Sequence, residues 1–178
     1  TARLGYDGKG QALVRSEDET IRAFLQFGAA PAILEDFVDF SYEVSVVAAR
    51  GRDGAFAAFD PPKNEHENHI LRRSTVPSPL GDDSIAEAIR IARKIADKLD
   101  YVGVLGVEFF VGRDEKLAVN EIAPRVHNSG HWTIEACATS QFEQHLRAVA
   151  GWPLGDPARR SDAVMENIIG AEIETWLN

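Results

Sequence analysis

Cysteine is nearly absent: the single Cys137 in 178 residues excludes an internal disulfide and fits a reducing cytoplasm. Positive charge is also short, since 19 Lys and Arg against 28 Asp and Glu leave a formal net charge of −9. That balance excludes the basic stripe of a nucleic-acid surface. It also requires that any anionic substrate be met by a local concentration of the few cations. No apolar run approaches the ~20 residues of a membrane span, and no signal sequence opens the chain, so no membrane partner is expected. Repeats and low-complexity tracts are missing. So is an initiator Met, and Thr1-Ala2-Arg3-Leu4 runs directly into a glycine-rich loop, as expected of a piece of a longer protein. What is present is a 44% hydrophobic content, enough for one domain or one and a half with a real core.

The patterning predicts α+β architecture, with strands that meander antiparallel and helices set between them. Short strands are expected at Ala12–Val14 and Ala32–Leu34, and an amphipathic helix over Asp18–Phe27 capped by Ser16 or Asp18. Phe40–Arg50 reads as a longer strand, turned by Gly51-Arg52-Asp53-Gly54 into a return strand at Ala55–Phe59. Pro61 to His69 reads as irregular and polar, followed by a strand at Ile70–Ser74. Ser84–Leu99 is a clear amphipathic helix. Tyr101–Val111 and Lys116–Ile122 form a hairpin that feeds a polar loop, Ala123–His131. A helix over Ser140–Ala150 stops at Gly151, and a last strand at Val164–Ile169 precedes a possible final helix.

Two carboxylates break this hydrophobic logic. Glu108 interrupts Val104–Val111, and Glu121 interrupts Leu117–Ile122. A charge inside an apolar strand is costly unless a cation or hydrogen bonds compensate it. If the hairpin folds about Asp114-Glu115, residues 108 and 121 lie opposite, with Cβ atoms ~4.5–5.5 Å apart. Two anions that close call for a positive centre, and Mg²⁺ chelated to nucleotide phosphates would supply it. A one-residue slip would send the two to opposite faces and leave two ordinary glutamates on a solvent edge. The segment Asn120 to Thr133 then concentrates directional groups. Arg125 offers a planar fork for a carboxylate, bicarbonate or phosphate, and His127 and Asn128 could orient or deprotonate a small substrate. Ordinary turn chemistry would explain Asn128-Ser129-Gly130 but not the rest.

This hairpin and loop resemble the ATP-grasp superfamily, in which a Glu on each of two strands holds Mg–ATP. Asn120–Thr133, Gly5-Tyr6-Asp7-Gly8-Lys9-Gly10-Gln11 and Ser140–His145 are similar to the 5-(carboxyamino)imidazole ribonucleotide synthases within it. The resemblance implies a partial ATP-grasp domain: a glycine-rich lid subdomain over 1–34, a catalytic core over 35–151 and the start of a small C-terminal β domain over 152–178. Glu108 and Glu121 would hold Mg²⁺. Gly5, Tyr6, Asp7, Gly8, Lys9, Gly10 and Gln11 would cover the ATP phosphates, with Tyr6 and Asp7 near the aminoimidazole ribonucleotide. The lid lacks the Lys-Ser/Thr ending of a P-loop. Glu35, Asp36, Phe37 and Val38 would form the hinge that reads adenine, Glu43 would hold the ribose, and His66 and Asn120 would lie by the nucleotide. An exposed strand position for Glu43 and a plain loop histidine at His66 are the alternatives. Asp7, Arg125, His127 and Asn128 would be the catalytic set.

The implied reaction is ATP-dependent carboxylation of 5-aminoimidazole ribonucleotide with bicarbonate, through carboxyphosphate, by a cytoplasmic homodimer. Another ATP-grasp ligase, such as a formate-dependent transformylase or a biotin carboxylase, is the alternative. So is a nucleotide-binding portion without turnover. Two departures from the wider pattern stand out. Ala123 occupies the position, two residues after the second Glu, where many members carry a further metal-binding Asn. Glu67-Asn68-His69 replaces an acidic residue followed by Gly. His145 reads as structural, and His69 has no assigned role.

Overall fold

A computed structural model describes residues 10–176. The chain divides into two compact units, Thr1–Val38 and Asp39–Asn178. In the first, helix α1 (Glu17–Gln26) begins at Ser16, whose hydroxyl accepts from the Glu19 N–H, while Glu19 accepts from the Arg15 N–H. This is a capping box displaced by one residue. The strands expected at Ala12–Val14 and Ala32–Leu34 do not form; both segments lack regular secondary structure. A strand requires a backbone partner, and β-propensity without a ladder does not make one.

The second unit is built on one seven-stranded sheet in which every pairing is antiparallel. Its strands are β1 (Tyr42–Arg50), β2 (Phe56–Ala58), β3 (Lys63–Glu67), β4 (Ile70–Val76), β5 (Gly103–Val111), β6 (Leu117–Ala123) and β7 (Ala163–Glu166). The order is β6-β5-β1-β3-β4-β7, with β2 on the same edge of β1 as β3 but further along it. The expected antiparallel sheet with flanking helices is thus what forms. Residues 152–178 contribute β7 beside β4 and the short helix α5 (Glu172–Trp176).

β3 lies where the sequence reads as irregular. Its side chains, Lys-Asn-Glu-His-Glu, carry no hydrophobic alternation, yet it pairs with both β1 and β4. Glu67 pairs with Ile70, so Asn68 and His69 form a two-residue hairpin loop, and both have positive φ, 51° and 64°. The unusual Glu67-Asn68-His69 is therefore a turn of the kind whose twist suits a hairpin.

β1 is buried on both faces, which explains its lack of alternation. Val44, Val46 and Ala48 pack with Leu105, Val107, Phe109 and Val111 against helix α2 (Asp82–Lys98). α2 turns Ala88, Ala92 and Ala96 toward the sheet, one per turn, and these small side chains let it lie close. Val47, Ala49 and Val104 face the other way, against Phe59, Trp132, Ala136 and Cys137. Beyond that second layer stand the short helix α3 (Thr133–Ala136) and helix α4 (Gln141–Ala150). α4 is capped by the Ser140 hydroxyl and ended by Gly151 at φ 73°.

Candidate functional site

Strand alternation sorts the polar residues of the sheet onto the α3/α4 side. In β1 these are Glu43 and Ser45, in β3 Asn64, and in β5 Glu108, which lies directly across from Ser45. The β5–β6 register is less regular than a plain hairpin. Near the tip Val111 pairs with Leu117 and Phe109 with Val119, whereas further in Val107 pairs with Ile122 and Gly106 with Ala123. Between these stretches β6 carries one extra residue, so Asn120 and Glu121 together stand opposite Glu108. Had the tip register continued, Glu121 would have faced Val107 on the α2 side. The bulge returns it to the face of Glu108, and bulges commonly re-aim side chains in this way.

The result is a cluster in which Glu108, Glu121 and His127 each offer an atom within 4.8 Å of the others. Glu108 is largely buried, and burial first, then the charge of Glu121, push its carboxyl up to about 7. The His127 ring is held down to about 4, mainly by burial and then by Arg125. Its contact with Glu108, Nε2 to Oε1 at 3.3 Å, is therefore a close approach of a neutral ring to the carboxyl rather than an ion pair. Beside it, His66 Nδ1 meets Glu43 Oε2 at 2.7 Å. That bond raises the pKa of His66, helped by the charges of Glu43, Glu108 and Glu121 and opposed by burial.

Two paired carboxylates that repel one another fit a hard divalent cation with oxygen preference, and Mg²⁺ takes one or two such ligands. His127 stands beside Glu108, with Nε2 3.3 Å from its Oε1.

His127 reaches this place because Gly106 lets it. A Cβ at residue 106 would lie 2.9 Å from both Cβ and Cγ of His127. Gln141, at the start of α4, clamps the same residue by accepting from its N–H at 2.8 Å and donating to its carbonyl at 2.7 Å. Asn128 follows in a single 3₁₀ turn, with its Oδ1 buried and without a partner among the described residues. Arg125 is exposed, its guanidinium donating to the Val126 carbonyl at 3.0 Å.

The structure thus brings together Glu43, His66, Glu108, Glu121, Arg125 and His127, with Asn120 at the bulge and Asn128 next in the loop. Glu35, Asp36, Phe37 and Val38 are exposed in the first unit, as is Gln11, while Gly10 is half-buried with φ 78°. Gly5, Tyr6, Asp7, Gly8 and Lys9 lie outside the described residues. His145 is structural: its Nδ1 accepts from the Val104 N–H at 3.0 Å.

Sequence reasoning missed the buried polar set Ser45, Asn64, Ser74 and Ser129 behind His127. The signal for Ser45 was the same as for Glu108, a polar residue in an otherwise apolar strand. Ser129 read as plain turn chemistry.

Comparison with known proteins gives a consistent result. Residues 1–142 match the ATP-grasp domain family. The N5-carboxyaminoimidazole ribonucleotide synthase of Brucella melitensis is 59% identical over 174 residues, covering 97% of this chain and 48% of that protein. A carboxyaminoimidazole ribonucleotide synthase from Aspergillus clavatus, complexed with ATP, superposes with a TM-score of 0.89 at 32% identity, covering 98% of this chain and 47% of that one. The Aspergillus clavatus enzyme in complex with ADP and 5-aminoimidazole ribonucleotide gives a TM-score of 0.80 at 32% identity, over 93% and 45% of the two chains. The chain spans about half the length of the relatives it matches.

Proposed function

The chain belongs to the ATP-grasp family, and from that premise we propose that it is the nucleotide-binding portion of a carboxylating carbon–nitrogen ligase. The reaction joins bicarbonate to the amine of 5-aminoimidazole ribonucleotide with hydrolysis of ATP, giving 5-(carboxyamino)imidazole ribonucleotide, ADP and phosphate, a step of purine biosynthesis. The observation that carries this reading is the convergence of Glu108, Glu121 and His127 beneath the loop of Arg125 and Asn128. The relatives named for this synthase, and their complexes with ATP and with ADP plus the ribonucleotide, support it.

Glu108 and Glu121 would hold Mg²⁺, which when bound neutralises charge on the nucleotide phosphates. Glu43, fixed by its bond to His66, would take the ribose hydroxyls. The exposed fork of Arg125 would take bicarbonate, and the Asn128 Oδ1, buried and without a partner among the described residues, would accept a donor from substrate. A bicarbonate oxygen attacks the γ-phosphorus and the bond to ADP breaks, leaving carboxyphosphate. The amine then attacks the carboxyl carbon, phosphate leaves and the amine loses a proton; Asp7 would lie near this ribonucleotide. Positioning and charge stabilisation supply most of such catalysis. The glycine-rich segment Gly5–Gln11 would close over the phosphates and exclude water from carboxyphosphate, and Glu35–Val38 would read the adenine edge. In the cell we place the protein in the cytoplasm as a homodimer; among the described residues no helix is long and apolar enough to cross a membrane.

Calorimetry with Mg·ADP, followed by ADP release with bicarbonate or formate and with or without the ribonucleotide, tests the reading. Bicarbonate- and ribonucleotide-dependent release is expected, and formate-dependent release would move the chain to a different ligase. Because the chain spans about half of its relatives, nucleotide binding without turnover would favour a binding portion that needs further residues for chemistry.

A further inference from the structure

A continuous line of buried hydrogen bonds runs from β4 to His127, whose ring abuts Glu108. Ser74 Oγ meets Asn64 Oδ1 at 2.7 Å, Asn64 Nδ2 meets Ser45 Oγ at 2.9 Å, and Ser45 Oγ meets Ser129 Oγ at 2.6 Å. Ser129 Oγ then meets His127 Nδ1 at 2.8 Å, and His127 Nε2 meets Glu108 Oε1 at 3.3 Å. Ser45, Ser74 and Ser129 are wholly buried, and Asn64 is 2% exposed. Four elements contribute: β1, β3, β4 and the turn after β6.

Counting protons gives the line a direction. Each hydroxyl has one hydrogen to donate, so once one donor–acceptor pair in the line is fixed, the direction of each link behind it follows. One donor in it is fixed. The backbone N–H of Ser129 is directed at His127 Nδ1, at 3.4 Å. A ring nitrogen that faces an N–H donor cannot itself carry hydrogen. Nδ1 is therefore the acceptor, Ser129 donates to it, Ser45 donates to Ser129, and Asn64 donates to Ser45. The hydrogen on His127 therefore resides on Nε2, the nitrogen that lies 3.3 Å from Glu108 Oε1.

The geometry points to Ser45, Asn64 and Ser129 as positioning residues that hold His127 as the Nε2–H tautomer, so that it turns an N–H rather than a lone pair toward the cation site beside Glu108 and does not itself ligate it. The inference rests on the reading of Glu108 as a ligand of nucleotide-bound Mg²⁺. It also removes His127 from the groups that could deprotonate a substrate at this point, since its free lone pair faces Ser129. Partners of this kind behind a metal ligand typically alter metal affinity 10–100-fold when removed.

Two measurements on the chain test it separately. Long-range ¹H–¹⁵N correlation of ¹⁵N-histidine protein at neutral pH reports which ring nitrogen of His127 is protonated, with no variant and no ligand needed. Nε2–H is expected, and Nδ1–H overturns the proposal. Titration with ADP, with Mg²⁺ and with chelator, is then compared for wild type, Ser129→Ala and Ser45→Ala. The metal-dependent gain in affinity should fall about 10-fold in either variant, while metal-free ADP binding stays as in wild type. A folded variant that keeps the full gain overturns the proposal, as does an equal loss with and without metal. If wild type shows no metal-dependent gain, the assignment of Glu108 fails instead, and the tautomer result still stands by itself.

Discussion

At the scale of single residues, the site depends on charges held close with little solvent. Glu108 is pushed up to about 7 by burial and by Glu121, so it is partly protonated at neutral pH in the absence of a cation. A cation binds the carboxylate form. Mg·ADP affinity should therefore weaken progressively as pH falls through about 7 and level off above it, as calorimetry across pH 6 to 8.5 would show. Glu121→Gln removes a proposed ligand and also one of the charges behind that shift. The metal-dependent part of ADP affinity should drop by at least ~10-fold with the thermal midpoint unchanged, and ATP turnover in the complete enzyme should be nearly abolished. Unimpaired Mg·ADP binding by this variant would remove the metal assignment. Gly106 sets a different limit, because a methyl group there meets His127 at 2.9 Å. Gly106→Ala should cost about 1–3 kcal/mol in denaturant unfolding, in line with overpacking elsewhere.

Elements show how far the sequence could be read. The β5–β6 hairpin, the α2 stripe and the Ser140 and Gly151 ends of α4 were legible because period, cap and turn residues agree. The facing of Glu108 and Glu121 was also expected, but from an unbroken register about Asp114-Glu115. The actual ladder reaches it through a bulge, which leaves no mark in residue type. β3 was invisible for a related reason. Its Asn64 and His66 are satisfied by hydrogen bonds to Ser45, Ser74 and Glu43 on neighbouring strands, so the strand has no apolar signature, and only its partners β1 and β4 define it. Ala12–Val14 and Ala32–Leu34 err in the opposite direction, having propensity without a ladder. The β3–β4 turn offers a test at this scale. His69 has φ 64° in a two-residue loop, where glycine is favoured. His69→Gly should stabilise the protein by roughly 0.5–1 kcal/mol in chemical unfolding and leave Mg·ADP binding alone.

For the molecule as a whole, the buried groups write opposing slopes into the dependence of stability on pH. Glu108, raised from 4.5 to about 7, contributes stability that is full below pH 4.5 and is lost as pH rises to about 7. His127, lowered from 6.5 to about 4, contributes stability that is full above pH 6.5 and is lost as pH falls to about 4. The two slopes offset each other between pH 4.5 and 6.5. His127→Gln should uncover the first, so that urea midpoints of the metal-free protein fall with rising pH across that window more steeply than in wild type. Tolerance of acidity in the metal-free fold thus belongs to the pair and not to either group. The extra residue of β6 has a consequence of a different kind. Because two residues answer one at Glu108, the strands cannot slide past each other by a step without leaving a residue unmatched. The bulge acts as the key of a keyed joint, admitting one alignment. The spacing of the two carboxylates is written inside the hairpin itself, and a graft of 103–123 onto another antiparallel sheet would carry it along.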